Sequence, residues 1–200
     1  MIKNLIFDFG DVFINLDKGA TLRRLSVDRF QNIPQEVTML VQEYEKGAIS
    51  TNNFLERVTL FLPEITQKQF IDAWNAIILD FPDHRMEFLR QLVKEDNYRL
   101  YLLSNTNELH IRAVVKRMGE KRYHTFKRCF LQFYLSHEVH LRKPEPEIFK
   151  MVLKENNIKA HETLFIDDTK EHIMAAAALG IKTWHLKVGK EDITQLKSRI

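Results

Sequence analysis

Several features common in other protein classes are scarce in this chain of 200 residues. The single cysteine, Cys129, excludes an internal disulfide and a CxxC zinc site, and it favours a reducing compartment. No apolar run approaches the ~20 residues of a membrane-spanning helix. The apolar stretch at the N-terminus is short and Asp8 interrupts it, which argues against a signal peptide. We therefore expect a cytoplasmic protein without a membrane partner.

The charge balance is also modest, because 30 Lys and Arg face 27 Asp and Glu, for a formal charge of +3. A dedicated nucleic-acid binder would carry a larger basic surplus. The basic run 116–128 contains Tyr123 and Phe126, but in a nearly neutral chain it indicates a solvated face. We expect no nucleic-acid partner. The 44% hydrophobic content is enough for a real core, and the length fits one domain with a modest insert.

Short apolar runs alternate with helical patterns through most of the chain. Runs without polar alternation are typical of strands buried on both faces, as in a parallel sheet. Between them, apolar residues recur at helical spacing, as at Met86, Leu89 and Leu92. The alternation predicts an α/β fold with a doubly wound parallel sheet. The predicted strands are 5–7, 98–103, 163–166 and 181–186.

Residues 17–81 differ, since their apolar spacing is helical and no strand pattern occurs. Gly47 and Pro63 separate the helical patterns, and Ser50 or Thr51 is positioned to cap the helix that carries Phe54. We expect an all-helical insert of roughly four helices. The predicted core domain is then 1–16 with 82–200, and the predicted cap subdomain is 17–81.

Polar side chains follow the predicted strands, where ligands bind in open parallel sheets. Each alone is more often a turn or helix-cap residue, so Ser104 and Asn105 could cap a helix near Glu108, and Lys143 could lie on the surface. Together they suggest one site. They are Asp8 after the first strand, Ser104-Asn105 after the second, Lys143-Pro144 before a helix, and Asp167-Asp168 after the third.

This set suits phosphoryl transfer. Carboxylates at neighbouring strand ends can hold Mg²⁺, which prefers oxygen ligands. The cation offsets repulsion between the nucleophile and the phosphoryl oxygens. A lysine, a hydroxyl and the N–H groups that open a helix bind those oxygens. A carboxylate can then attack phosphorus and form an aspartyl-phosphate.

The segments LIFDFGDV, LLSNT, RKPEPEIF and FIDDT are similar to the four motifs of the haloacid dehalogenase (HAD) superfamily. The helical insert lies where that superfamily carries its C1 cap. YEKGAIS followed by NNFLERV resembles the branch with the phosphatase domain of soluble epoxide hydrolase and a bacterial glucose-1-phosphatase. The resemblance implies a Rossmann-like core and a Mg²⁺-dependent phosphatase of a small phosphorylated metabolite, with a sugar phosphate favoured.

The resemblance also implies roles for residues. Asp8 would be the nucleophile, and Lys143 would pair with both Asp8 and the phosphate. Ser104 and the backbone of Asn105 would bind phosphate.

The metal ligands implied by the resemblance are Asp8, the backbone carbonyl of Gly10 and Asp168. Asp167 would either hold the direct ligands in place or bind the metal through a water molecule.

Gly10 departs from the family pattern, because most phosphatases of the superfamily carry an acidic proton donor there. Losing such an acid typically costs ~10²–10⁴ in rate. Asp11 or a cap residue could supply the proton, the leaving group could be an acidic anomeric or aryl oxygen, or the protein could act by binding. The resemblance to the glucose-1-phosphatase branch favours the second explanation.

Three other functions stay open from the sequence. A haloacid dehalogenase has glycine at the same position but needs no metal, and the Asp167-Asp168 pair would repel its anion. A binding or regulatory protein would keep the fold with little turnover. A receiver-type signalling domain shares the residue types, but the helical insert argues against it. The oligomeric state is left open.

Overall fold

A single parallel sheet organises the fold of the computed structural model, which describes residues 1–25 and 34–200. Its five strands are ordered β3-β2-β1-β4-β5, and each neighbouring pair is parallel. They are β1 (Asn4–Phe7), β2 (Arg99–Ser104), β3 (Gln132–Leu135), β4 (Thr163–Asp167) and β5 (Lys182–His185). The predicted doubly wound α/β class is confirmed.

Helices connect the strands and form the insert. In the described residues they are α1 (Ala20–Arg24), α2 (Gln35–Glu45), α3 (Thr51–Leu60), α4 (Gln67–Trp74), α5 (Asp83–Glu95), α6 (Glu108–Met118), α7 (Glu120–Lys127), α8 (Ser136–Val139), α9 (Pro146–Glu155) and α10 (Lys170–Ala178). Short 3₁₀ turns lie at Asn75–Ile77, Ala160–Glu162 and Ile193–Ser198. None of these helices is long and apolar enough to cross a membrane.

Both faces of the sheet are covered, which explains the uninterrupted apolar runs. Successive side chains of a strand point to opposite faces. Leu5 and Phe7 of β1 therefore pack in one cluster with Leu89 of α5, whereas Ile6 packs in a second cluster with Phe149 of α9. The strand order makes β1 the middle strand of the sheet, and it is covered on both faces.

Strand β3 was not among the predicted strands. It is four residues long and lies at the edge of the sheet, paired only with β2. Gln132 is exposed and Phe133 only half-buried, so the segment lacks the continuous apolar run of the central strands.

The helical insert leaves and re-enters the core through a short two-stranded stem. Leu16 and Ile78 form an antiparallel bridge. Beside it, the Asp17 N–H donates to the Ile77 carbonyl at 2.9 Å, and the Leu79 N–H donates to the Asn15 carbonyl at 2.9 Å. Beyond the stem, the described residues between 18 and 76 form helices and no strand. The division of the chain at residues 16 and 82 stays a prediction.

The insert has its own apolar cluster, which packs on the start of α6. Tyr44 stacks on Phe54 with ring centroids 4.2 Å apart, and Trp74 stacks on His110 of α6 at 5.0 Å. The predicted cap of α3 is confirmed, because the Ser50 hydroxyl accepts a hydrogen bond from the Asn53 N–H at 3.2 Å. The insert therefore sits on the core as a packed unit.

Candidate active site

Three adjacent strands deliver polar side chains to one edge of the sheet. Central strand β1 lies between β2 and β4, and all run in the same direction. Asp8 directly follows β1, Ser104 ends β2 and Asp167 ends β4. The Asp8 N–H donates to the Ile166 carbonyl at 2.8 Å, which fixes the acid at the sheet edge. Parallel pairing alone thus brings these residues together.

Lys143 lies in the middle of this group. Its Nζ is 2.7 Å from Asp8 Oδ1 and 2.6 Å from Asp167 Oδ2. The side chain is fully buried and its ammonium lies 5.3 Å from the centre of the Phe165 ring. The alternative interpretation of Lys143 as a surface lysine is therefore wrong.

Burial and charge act together on these groups. Burial raises the pKa of Asp8; Lys143 opposes this shift and Asp167 adds to it. Burial alone would lower the pKa of Lys143, but the two carboxylates outweigh it and raise that pKa. For Asp167 burial favours the neutral acid, yet Lys143 and His172 hold its pKa well below the usual range. A charged lysine between carboxylates follows from this balance.

His172 is a site residue that the sequence reasoning missed. Its Nδ1 lies 3.0 Å from Asp167 Oδ2, and the Thr169 N–H donates to Asp167 Oδ1 at 2.8 Å. The sequence contained one clue to its role, because His172 follows the acid pair by one helical turn, on α10. These contacts fix the Asp167 carboxylate beneath Lys143.

Asp168 completes a cluster of acids. Oxygens of Asp8, Asp167 and Asp168 lie within 4.8 Å of one another. Lys18, which the sequence did not single out, bridges Asp168 and Asp11, with its Nζ 3.0 Å from Asp11 Oδ2. Clustered carboxylate oxygens balanced by ammonium groups fit a hard divalent cation such as Mg²⁺.

The loop after β2, which carries the predicted phosphate-binding residues Ser104 and Asn105, also holds Lys143. Ser104 is buried, and its hydroxyl lies 3.5 Å from the Asn105 carbonyl, at the limit of a hydrogen bond. The Asn105 side chain bonds the backbone of Lys143. The cap of α6 is Asn107, which accepts from the His110 N–H at 3.0 Å. The capping alternative for Ser104 and Asn105 is therefore wrong.

At Gly10 the place of a side chain is taken by Leu16. A Cβ on Gly10 would lie 2.7 Å from Leu16 Cδ1 and 3.8 Å from Asp8 Oδ2. The Gly10 carbonyl accepts from the Val12 N–H at 2.7 Å. Asp11 accepts from the Leu16 N–H at 3.0 Å and pairs with Lys18. Both Asp11 oxygens therefore already have a partner, the Leu16 N–H and the Lys18 ammonium.

A cavity of about 360 Å³ opens among the insert helices α1 to α4. Trp74 and Phe70 line its apolar part, and Glu45 and Arg142 line a charged part. Arg142 immediately precedes Lys143, so the cavity reaches the segment that delivers the buried lysine.

Comparison with known proteins identifies relatives along the whole chain. D-ribitol-5-phosphate phosphatase from Bacteroides thetaiotaomicron is 27% identical over 202 residues, covering 96% of this chain and 95% of that protein. Glyceraldehyde 3-phosphate phosphatase from Pyrococcus abyssi is 28% identical over 214 residues, covering 95% of this chain and 83% of that protein.

Solved structures agree with the sequence matches. A HAD family enzyme from Bacteroides thetaiotaomicron, in complex with magnesium and inorganic phosphate, has a TM-score of 0.81 at 35% identity. The match covers 96% of this chain and 97% of that one. The family profile of haloacid dehalogenase-like hydrolases matches residues 2–180. This chain therefore belongs to the haloacid dehalogenase-like hydrolase family, as its four motifs predicted.

Proposed function

We propose that the protein is a Mg²⁺-dependent phosphatase that hydrolyses the phosphate monoester of a small sugar or polyol. The phosphatase relatives and the Mg²⁺ and phosphate complex of the Bacteroides enzyme support the reaction and the cation. The observation that carries the proposal is the shared ammonium of Lys143 between Asp8 and Asp167, with Asp168 beside them.

In the proposed reaction Asp8 attacks the phosphorus with the oxygen that is not paired with Lys143. The bond from phosphorus to the ester oxygen breaks, its electron pair leaves with that oxygen, and a water proton completes the alcohol. Water then hydrolyses the aspartyl-phosphate and releases inorganic phosphate and the Asp8 carboxylate. Splitting the reaction in this way replaces one difficult displacement by two easier ones.

The surrounding groups lower the charge repulsion in both steps. Lys143 offsets the repulsion between the Asp8 and Asp167 carboxylates and places a positive charge beside the transferring group. Ser104 and the backbone of Asn105 bind the phosphoryl oxygens. Asp8, Asp168 and the Gly10 carbonyl would hold Mg²⁺, which supplies further positive charge at those oxygens.

The substrate class rests on two observations that act together. The relatives act, by name, on phosphates of ribitol and glyceraldehyde. The absence of a side-chain acid at Gly10 favours a leaving oxygen of low pKa, such as the anomeric oxygen of a sugar 1-phosphate. The relatives' names point to small polyhydroxy phosphates, although those two carry the phosphate on a primary alcohol. The glycine at position 10 is what favours the anomeric ester among such compounds.

The acid cluster also argues against a metal-free dehalogenase. Such an enzyme binds a carboxylate substrate without a cation, and three neighbouring carboxylates would repel that substrate. Halide release from a 2-haloacid in the presence of a chelator would favour the dehalogenase and contradict our proposal.

The proposal is tested with a panel of sugar, polyol and aryl phosphates, assayed with Mg²⁺ and with a chelator. We expect Mg²⁺-dependent phosphate release by the wild type and none by Asp8→Asn, which keeps the shape of the side chain. Asp72→Asn, at an exposed position on α4, is the matched control and should behave as the wild type. Retained turnover in Asp8→Asn would place the nucleophile elsewhere.

A further inference from the structure

We propose that Glu45, on the helical insert, is a positioning residue for Lys143 and acts through Arg142. The inference rests on the proposed function, because it assigns to the insert a part in aligning the lysine of the same site. On this proposal, Lys143 is correctly placed only when the insert is packed on the core.

The first observation is the ion pair itself. Arg142 Nη2 and Nε donate to Glu45 Oε2 at 2.9 and 3.2 Å. Glu45 is the last residue of α2, and Arg142 belongs to the segment between α8 and α9. Their side chains are only 21% and 20% exposed. An ion pair so sheltered is costly to break, because each charge would be left without its partner.

The second observation is that the turn after α2 is seated on the same core segment. The His140 ring lies with Nδ1 2.9 Å from the Lys46 carbonyl, and Lys46 Nζ lies 2.5 Å from Glu145 Oε1. Gly47 packs so closely that a Cβ would lie 2.1 Å from the His137 carbonyl oxygen. These contacts flank Arg142 on both sides along the chain, so Glu45 meets Arg142 only when the turn is in this place.

The third observation is that Lys143 is held from two directions. Its backbone N–H and carbonyl bond the side chain of Asn105 on the core, at 2.9 and 2.8 Å. The neighbouring Arg142 bonds Glu45 on the insert. Loss of the Glu45 attachment would loosen the segment at the residue next to Lys143, although the contacts of the turn after α2 would remain. A small displacement of the lysine suffices to lower the rate.

The electrostatics place Glu45 within the field of the site. Burial raises the pKa of Glu45, and Arg142 opposes this most strongly. The charge of Lys143 also opposes it. Arg142 therefore balances the charge of a largely sheltered carboxylate.

The test compares Glu45→Ala, Arg142→Ala and the double variant, with Glu43→Ala as the control. Glu43 is on the same helix and pairs with Arg57 inside the insert, at 2.8 Å and 41% exposed. With p-nitrophenyl phosphate we expect each single variant to lose about 10-fold or more in kcat with little change in KM. The double variant should lose no more than either single one, because both remove the same contact.

A second measurement, hydrogen exchange of the peptide around 139–145, reads the positioning directly. We expect faster exchange in Glu45→Ala than in the wild type or Glu43→Ala. Unchanged exchange, additive losses in the double variant, or a kcat equal to that of Glu43→Ala would each overturn the inference. If the wild type hydrolyses no phosphate ester, the proposed function fails, and the exchange result alone decides whether Glu45 holds the segment.

Discussion

The side-chain amide of Asn105 binds both backbone polar groups of Lys143. Asn105 Oδ1 accepts from the Lys143 N–H at 2.9 Å, and its Nδ2 donates to the Lys143 carbonyl at 2.8 Å. A residue in the loop after β2 therefore fixes the backbone from which the buried lysine extends toward Asp8.

Replacement of this amide should affect both stability and catalysis. In Asn105→Ala the two Lys143 backbone groups lose their partners, and we expect the free energy of unfolding to fall by about 2 kcal/mol. We also expect kcat to fall, because the backbone that positions the Lys143 ammonium beside Asp8 is no longer fixed. Urea unfolding and steady-state kinetics measure the two effects. Asn52→Ala, at an exposed position on α3, should change neither.

Gly47 and Gly189 form a matched pair for testing how the insert is seated. Both have positive φ, +62° and +77°, but only Gly47 faces a neighbour that a Cβ would strike, the His137 carbonyl. Gly189→Ala should cost about 1 kcal/mol from the backbone alone. Gly47→Ala should cost clearly more and lower activity. If thermal unfolding shows the same loss of stability for both variants, the close contact of Gly47 with the His137 carbonyl does not contribute to stability.

The position of Gly10 predicts a dependence on the leaving group. With no side-chain acid there, kcat for aryl phosphates should fall steeply as the pKa of the released phenol rises. Gly10→Asp combined with Leu16→Ala, which clears the atom 2.7 Å from the new Cβ, should flatten this dependence. Leu16→Ala alone is the control. An equally steep series in the double variant would show that the acid cannot act from this position.

His110 connects the start of α6 to the insert in a way that requires the neutral ring. Asn107 Nδ2 donates to its Nδ1 at 3.1 Å, so Nε2–H donates to the Trp74 carbonyl at 3.2 Å. Burial lowers the pKa of His110 from 6.5 to about 4. A proton on Nδ1 would remove an acceptor at this contact.

The lowered pKa makes stability depend on pH. Above about pH 6.5 both states are neutral and the histidine costs nothing; between about pH 6.5 and 4 only the unfolded state binds the proton, so stability falls. At about pH 5 the loss should be roughly 2 kcal/mol relative to neutral pH. Denaturant titrations of wild type and His110→Gln at both pH values measure it. The variant should lose less than the wild type, and an equal loss would assign the effect to other groups.

The sequence predicted those parts of the site that follow from local order along the chain. Asp8, Ser104 and Asp167 were found because parallel strands end at one edge, so position after a strand is enough. Lys143 was included because it precedes a predicted helix in the same series of polar residues, but nothing in its neighbourhood predicts that it is fully buried. The catalytic and metal-binding roles given to these residues stay predictions.

The missed contacts join distant parts of the chain. Arg142 and Glu45 are 97 residues apart, and Lys18 and Asp168 are 150 apart. Single-chain patterns carry no information on how the insert rests on the core, so such pairs could not be predicted. The edge strand β3 was missed for another reason, since its exposed Gln132 breaks the apolar pattern.

The bridge between Leu16 and Ile78 makes the two ends of the helical insert neighbours in space. In connectivity, the insert is therefore an elaborated hairpin loop, and we expect that exchanging it for a shorter or unrelated one would leave the order and pairing of β1, β2 and β4 unchanged. In such an architecture the insert can change in evolution independently of the core that carries the reacting groups. On our proposal, each new insert would have to supply an acidic side chain for Arg142.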